Sequence, residues 1–126
     1  MGLQLATDTQ LRGSAYANLG PIYFAQHNYP RAQRSFESAI QLNRTYPVFF
    51  LDLGLIAQKN GDWKTAANYY ARLAAVEPTD VAYLLLSRAL ERVGSIEDAK
   101  RADQLARQIS IDIQQTQQTA DHLMLQ

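Results

Sequence analysis

The side chains that most often carry out chemistry are few in this sequence and lie far apart. The chain has two histidines, His27 and His122, and neither has a histidine, aspartate or glutamate at the spacing that metal sites use. No two acidic residues stand isolated among apolar neighbours, which is the setting that tunes a carboxyl group for acid–base catalysis. The acidic residues considered are Asp52, Glu77, Asp80, Glu91, Glu97 and Asp98. We therefore predict that the chain is not an enzyme and uses no metal or cofactor.

The composition also argues against phosphate and nucleic-acid binding. Gly54, Gly61 and Gly94 are single glycines that helix packing and turns explain, and no glycine-rich phosphate loop is present. Twelve basic residues balance twelve acidic ones, and no basic run is present of the kind that nucleic acids attract. Because the chain has no cysteine, disulfides and thiol chemistry are excluded.

The sequence predicts no direct membrane insertion. Its longest apolar runs, residues 47–51 and 81–86, are far shorter than the roughly 20 residues that span a bilayer. The N-terminal residues do not have the pattern of a secretory signal, so the location of the protein stays unknown. Residues 2–5 and the polar residues 6–10 resemble the end of a helix and the loop after it, so we expect the chain to be a fragment of a longer repeat protein.

Residue types recur along the chain at a period of 33 or 34 residues. The repeated positions in the middle of the chain are Phe50, Leu53 and Ala66; they match Tyr16, Leu19 and Ala32 upstream, and Tyr83, Leu86 and Ala99 downstream. A fixed period of this length is typical of helical repeats, in which each unit stacks on its neighbours.

Apolar periodicity predicts three pairs of helices. The first two helices cover residues 9–26 and 29–42, and Pro21 predicts a kink in the first of them. Pro47 begins the third helix, residues 63–76 form the fourth and residues 81–93 the fifth. The predicted helix-capping residues are Asn28, Asp62, Thr79 or Asp80, and Ser95 in a capping box with Asp98.

The C-terminal region from residue 96 to residue 126 contains no glycine or proline. It forms either one very long helix or two helices separated near residues 110–112. We favour the break, because the serine and β-branched isoleucines there weaken helix propensity.

The repeated residues resemble the tetratricopeptide repeat family. Its motif has an aromatic residue, leucine and glycine in the first helix of a pair, alanine and an aromatic residue in the second, and a final proline. The first two copies are Tyr16, Leu19, Gly20, Tyr23, Ala32 and Phe36, and then Phe50, Leu53, Gly54, Ala57, Ala66, Tyr70 and Pro78. The third copy departs from the motif, since Ser87 replaces glycine and Asp103 replaces the aromatic residue. In the first copy Arg44 replaces the proline.

The resemblance implies an all-α fold, a right-handed α-solenoid of three antiparallel helix pairs plus a C-terminal capping or extended helix. Residues 1–12 would be the tail of a preceding helix and loop. Residues 13–46, 47–79 and 80–113 would be the three repeats, and residues 114–126 the C-terminal cap or helix extension.

The resemblance also implies a binding surface, the concave groove lined by the first helix of each pair. Carrying that face over predicts a groove with an apolar floor and a cationic edge. The groove residues are Asn18, Phe24, Leu51, Asp52, Leu55, Gln58, Lys59, Leu84, Arg88 and Arg92. The carboxylate clamp of chaperone-binding members is not carried over, because its positions hold Ala17, Pro21, Asp52, Val81 and Leu85.

Two functions follow as hypotheses. In the first, the chain is a protein-interaction scaffold whose groove takes a peptide or helix with apolar anchors. In the second, it is a structural module that self-associates as a homo-oligomer or packs against another domain of a larger protein. A further version has residues 113–123 fold back into the groove or cap the last repeat.

Overall fold

Seven α-helices account for nearly all of the computed structural model, which describes residues 2–125 and the side chains of residues 7–124. Helices are the only regular elements in this described part, so the predicted all-α class is confirmed. The helices are α1 Gly2–Ala25, α2 Tyr29–Gln41, α3 Pro47–Lys59, α4 Trp63–Val76, α5 Asp80–Arg92, α6 Ile96–Ile109 and α7 Ile113–Leu125.

Helices that follow one another in sequence pack as neighbours. The chain divides into two compact units, Met1–Phe49 and Phe50–Gln126. In the first unit α1 packs against α2, and in the second α5 packs against α4, α6 and α7. This packing in adjacent pairs is consistent with a helical repeat solenoid, as the resemblance implied.

Side chains cap the helices where the sequence predicts it. Each cap accepts a hydrogen bond from an amide three residues further on, which satisfies a donor that has no partner within the helix. The bonds are Arg31 N to Asn28 Oδ1 at 3.4 Å, Thr65 N to Asp62 Oδ1 at 3.1 Å, and Ala82 N to Thr79 Oγ1 at 3.2 Å. Thr79 is thus the cap of α5, rather than Asp80.

The capping box predicted at α6 is wrong. Ser95 occupies the N-cap position, but its side chain makes no capping hydrogen bond. Asp98 instead accepts a bond of 2.7 Å from the Arg101 guanidinium on the same helix. The Asp98 carboxylate therefore bonds to a side chain of its own helix, and neither bond of the box is formed.

The loop expected near the N-terminus is also absent. Helix α1 is continuous from Gly2 to Ala25, where the sequence analysis placed a helix end and a loop before residue 9. Residues 3–12 contain neither glycine nor proline, so nothing in them costs enough to stop a helix. Pro21 lies inside α1, four residues before its end, and the kink there stays a prediction.

The predicted break between the last two helices is confirmed. Helix α6 ends at Ile109, and Ser110 has an extended backbone with φ −70° and ψ 134°. The turn is fixed to the start of α5, because the Thr116 hydroxyl donates to Asp80 Oδ2 at 2.8 Å. The Ser110 hydroxyl lies 2.7 Å from the same Thr116 oxygen.

Two glycines allow an aromatic ring to lie directly on a helix backbone. A Cβ atom added at Gly20 would be 2.5 Å from Cε1 of Phe36, and one added at Gly54 would be 2.4 Å from Cε1 of Tyr70. Both rings are fully buried. The first two repeats therefore need glycine in their first helix, because the aromatic residue sixteen positions later occupies the space of a side chain.

The third repeat replaces this contact with a polar one. Ser87 stands where the other copies have glycine, and Asp103 stands where they have the aromatic ring. Without the ring there is room for a side chain, and the buried Ser87 hydroxyl donates to the Ala99 carbonyl at 2.8 Å. Asp103 accepts a bond of 2.8 Å from Arg107. The two departures from the motif are thus coupled.

Candidate peptide-binding surfaces

The groove residues predicted from the sequence fall in both compact units. In the first unit both lie on α1, where Asn18 is exposed and Phe24 is half-buried. The Phe24 ring meets the edge of the Tyr29 ring at a centroid distance of 5.6 Å. Phe24 therefore offers part of its apolar surface, while the rest is held against the start of α2.

In the second unit, the α3 part of the predicted floor is only partly accessible. Leu55 is buried in the core. Leu51, one turn earlier, is half-buried and packs against the cluster formed by α4, α5, α6 and α7. Leu51 therefore keeps some exposed apolar surface, whereas Leu55 serves the fold.

At the end of α3, Gln58 has an internal role that the sequence analysis missed. Its Oε1 atom accepts a hydrogen bond of 3.0 Å from the Tyr70 hydroxyl. Burial raises the pKa of the Tyr70 phenol well above its ordinary value, so this hydroxyl remains a donor at all physiological pH values. Lys59, the next residue, is exposed.

Helix α7 covers the part of the predicted floor that lies on α5. Leu84 is buried in a cluster with Ala120 of α7. The Arg88 guanidinium, one turn later, lies 2.8 Å from Asp121 Oδ1 and 3.2 Å from the Met124 sulfur. Both predicted groove residues therefore contact the C-terminal helix of the same chain.

The last member of the predicted cationic edge is also engaged within the chain. The Arg92 guanidinium lies over the Trp63 ring, 4.9 Å from its centroid, which is within the range of a cation–π contact. Arg92 therefore ties the end of α5 to the start of α4.

Asp52 is the residue of the predicted groove whose pKa is shifted by its surroundings. It is half-buried on α3, and burial raises the pKa of its carboxyl group to about 7. In the described part of the chain, its carboxylate takes part in no ion pair. Placing an unpaired carboxylate in such a setting costs free energy, which a cation from outside the chain would recover.

Asp52→Asn is expected to stabilise the fold at alkaline pH. The pKa of Asp52 is about 7 in the folded state against 3.8 ordinarily, so the folded state binds more protons between these values. The free energy of unfolding of the wild type therefore falls as the pH rises from about 4 to about 7. The variant lacks this loss and should be more stable by about 1–3 kcal/mol at pH 8, allowing for partial exposure, and no more stable at pH 4.

Urea unfolding at several pH values would measure this difference. Asp62→Asn is the control, because Asp62 is exposed and its hydrogen bonds from Thr65 lower the pKa of its carboxyl group. The stability that Asp62 contributes is lost as the pH falls, whereas Asp52 lowers stability as the pH rises. Equal stabilisation by Asp52→Asn at pH 4 and pH 8 would show that its carboxyl group is not destabilised by burial.

A cleft of about 350 Å³ that the sequence analysis did not anticipate lies between α1 and α2. It is lined by Tyr16, Leu19, Tyr23, Arg31, Arg34, Ser35 and Ser38. The spacing of Tyr16, Leu19 and Tyr23 marks one face of α1, and Arg31 and Arg34 lie one turn apart on α2. The sequence shows the spacing of Tyr16, Leu19 and Tyr23, but these three residues also match packing positions of the repeat motif.

Other site types are not formed by the residues that the structure describes. No three histidine or acidic side chains there come close enough together to hold a metal ion. Within residues 2–125, no helix combines the length and the apolar character needed to cross a membrane.

Comparison with protein-family models identifies a family. A family model described as tetratricopeptide repeat matches residues 23–90, which is more than half of the 126 residues. Repeats of this family generally mediate protein–protein interactions and form a non-catalytic class. A search of curated proteins finds no match to the chain.

Proposed function

Because the chain belongs to the tetratricopeptide repeat family, we propose that it is a non-catalytic scaffold that binds a protein segment with apolar anchors. Its candidate contacts are those predicted groove residues that the fold leaves accessible. Among them, Leu51 and Asp52 on α3 carry the most weight, since Leu84 and Arg88 lie under α7.

The observation that supports this proposal is the half-buried pair formed by Leu51 and Asp52. Leu51 offers part of an apolar side chain, and next to it Asp52 has a desolvated carboxyl group without an ion-pair partner among the described residues. Perturbed carboxyl groups of this kind are concentrated at functional sites. A segment that brings both an apolar side chain and a lysine or arginine would bury the first and neutralise the carboxylate with the second.

This pairing also defines what the scaffold should reject. A peptide that presents its C-terminal carboxylate would meet the Asp52 carboxylate in a setting with little water, where like charges repel strongly. The proposed ligand is therefore an internal segment with apolar and basic residues rather than an acidic peptide end.

Leu51→Asp is expected to weaken the binding of such segments. Peptides selected from a random library displayed on phage should be enriched in apolar and basic residues, and calorimetry should show their affinity falling at least about tenfold in the variant. Leu51 packs partly against the core cluster, so a circular dichroism melt must first show that the variant stays folded at the temperature of the binding experiment. Leu84→Asp is unsuitable, because Leu84 is in the core.

Two further variants make this test specific. Asp52→Asn should remove the preference for basic residues while the apolar anchor still binds. Arg101→Glu, an exposed change on α6, should leave affinity unchanged. Selection of acidic peptides, or equal binding by the Leu51→Asp variant, would contradict the proposal.

A further inference from the structure

A face of α1 exposes apolar residues whose equivalents in the second repeat are buried. Tyr16 and Leu19 are each 37% exposed, whereas Phe50 and Leu53, 34 residues later, are 5% and 2% exposed. The residue types are those of a packing surface in both copies. The face of α1 is therefore a packing surface that no described residue of the chain covers fully.

The third repeat indicates what shape of occupant such a face accepts. There the equivalent residues are Tyr83 and Leu86 on α5, and α5 packs against α4. Both residues lie against a cluster that includes Ala66, Ala67 and Tyr70, all of which belong to α4. The occupant of the equivalent face of α1 should therefore be an amphipathic helix.

The described residues before Tyr16 do not cover this face. In a repeat array, the covering helix is joined to the next repeat by a turn, which would fall just before Gly13. Helix α1 instead runs without interruption from Gly2 through this region. Residues 2–15 therefore continue along the axis of α1 and do not turn back across its exposed face.

Charge defines the chemistry of the occupant. Arg31 and Arg34 line the cleft beside the exposed face, and its lining contains no acidic residue. The Arg31 guanidinium lies 5.9 Å from the centroid of the Tyr23 ring, and neither arginine forms an ion pair with a described carboxylate. The equivalent residues of the second repeat, Thr65 and Asn68, are uncharged, and in the third repeat only Arg34 has a basic equivalent, Arg101, so the pair of cations occurs in the first repeat alone.

We propose that the face formed by Tyr16, Leu19 and Tyr23, with Arg31 and Arg34 at its side, docks an amphipathic helix of a separate protein. That helix carries glutamate or aspartate beside its apolar stripe. The carboxylates form charge-assisted hydrogen bonds with the two guanidinium groups while the apolar stripe covers the α1 face. This surface differs from the α3 surface, and the inference does not rest on the function proposed above.

A peptide derived from α4 provides the probe, because α4 covers the equivalent face in the third repeat. The acidic probe is Trp63–Val76 with Lys64→Glu and Arg72→Glu, stapled by a hydrocarbon link because so short a helix is marginal in isolation. The comparison probe is the same stapled helix with Lys64 and Arg72 retained. Fluorescence anisotropy should show that the full chain binds the acidic probe about tenfold more tightly, and less tightly as salt is added.

Variants of the full chain locate the binding. Arg31→Glu with Arg34→Glu should weaken binding of the acidic probe about tenfold and reverse the preference between the two probes. Both side chains are exposed, so the fold should be kept. Arg101→Glu, at the position equivalent to Arg34 in the third repeat, is the matched control and should change nothing.

Three results would overturn the inference. One is equal affinity for the two probes that does not respond to the Arg31 and Arg34 changes. Another is loss of probe binding in the Leu51→Asp variant, which would place the probe on the α3 surface. The third is a dimer in sedimentation equilibrium that Leu19→Ser dissociates, which would make a second copy the occupant. Failure of the α3 proposal alone would leave probe binding unchanged.

Discussion

Gly54→Ala is expected to destabilise the chain by about 2–3 kcal/mol, because the new methyl group would have to share space with a buried ring. The added Cβ atom would lie 2.4 Å from Cε1 of Tyr70, closer than any normal carbon contact. Tyr70 cannot move aside cheaply, since it is fully buried and its hydroxyl is bonded to Gln58 at 3.0 Å. In an exposed helix the same change would stabilise, because alanine has the higher helix propensity.

Urea unfolding followed by circular dichroism measures the effect, and the third repeat supplies the control. Ser87→Ala changes the equivalent residue but adds no atoms, so it should cost only the hydrogen bond to Ala99, about 1 kcal/mol. In a Tyr70→Leu background, Gly54→Ala should cost less than it does in the wild type, because leucine leaves the space of the ring empty. A neutral or stabilising effect of Gly54→Ala would show that the two helices are not held in this close contact.

The sequence was sufficient to predict the local elements because each depends on nearby residues. The period of the motif located six helices, and capping by Asn28 and Asp62 follows from side chains that bond an amide three residues on. The start of α1 was mispredicted because polar residues were interpreted as a loop where no residue actually stops a helix. The capping box failed because a competing ion pair with Arg101 was equally compatible with the sequence.

The candidate site was less predictable, because accessibility depends on contacts between residues far apart in sequence. The groove residues were predicted by their position in the repeat motif. That position does not show which leucines of the groove are covered by another helix. Leu84 shares a buried cluster with Ala120, and Arg88 forms an ion pair with Asp121, in each case with a residue more than thirty positions later. Helix α7 is rich in glutamine and weakly patterned, so its sequence gave little indication that it packs against α5.

Ala120→Glu is expected to detach α7 from the rest of the chain. Ala120 is 0% exposed in a cluster with Leu84, Leu85 and Ala106, so a carboxylate there would be buried among apolar groups without a partner. The penalty is about 3 kcal/mol or more. The Arg88–Asp121 ion pair, which also holds α7, contributes less than this because Asp121 is exposed. Helices α4, α5 and α6 should persist, since their contacts with each other do not involve α7.

Hydrogen exchange would detect the detachment as lost protection of amides in residues 113–125 with protection retained in residues 80–92. Thr119→Glu is the control, because it adds the same charge to the same helix at an exposed position. Detachment uncovers Leu84 on α5, and we expect the variant to aggregate at high concentration, which makes α7 a cap of the last repeat. A different result would be a variant that stays monomeric and binds the phage-selected peptides more tightly than the wild type does. That result would show that α7 occupies the groove and can be displaced from it.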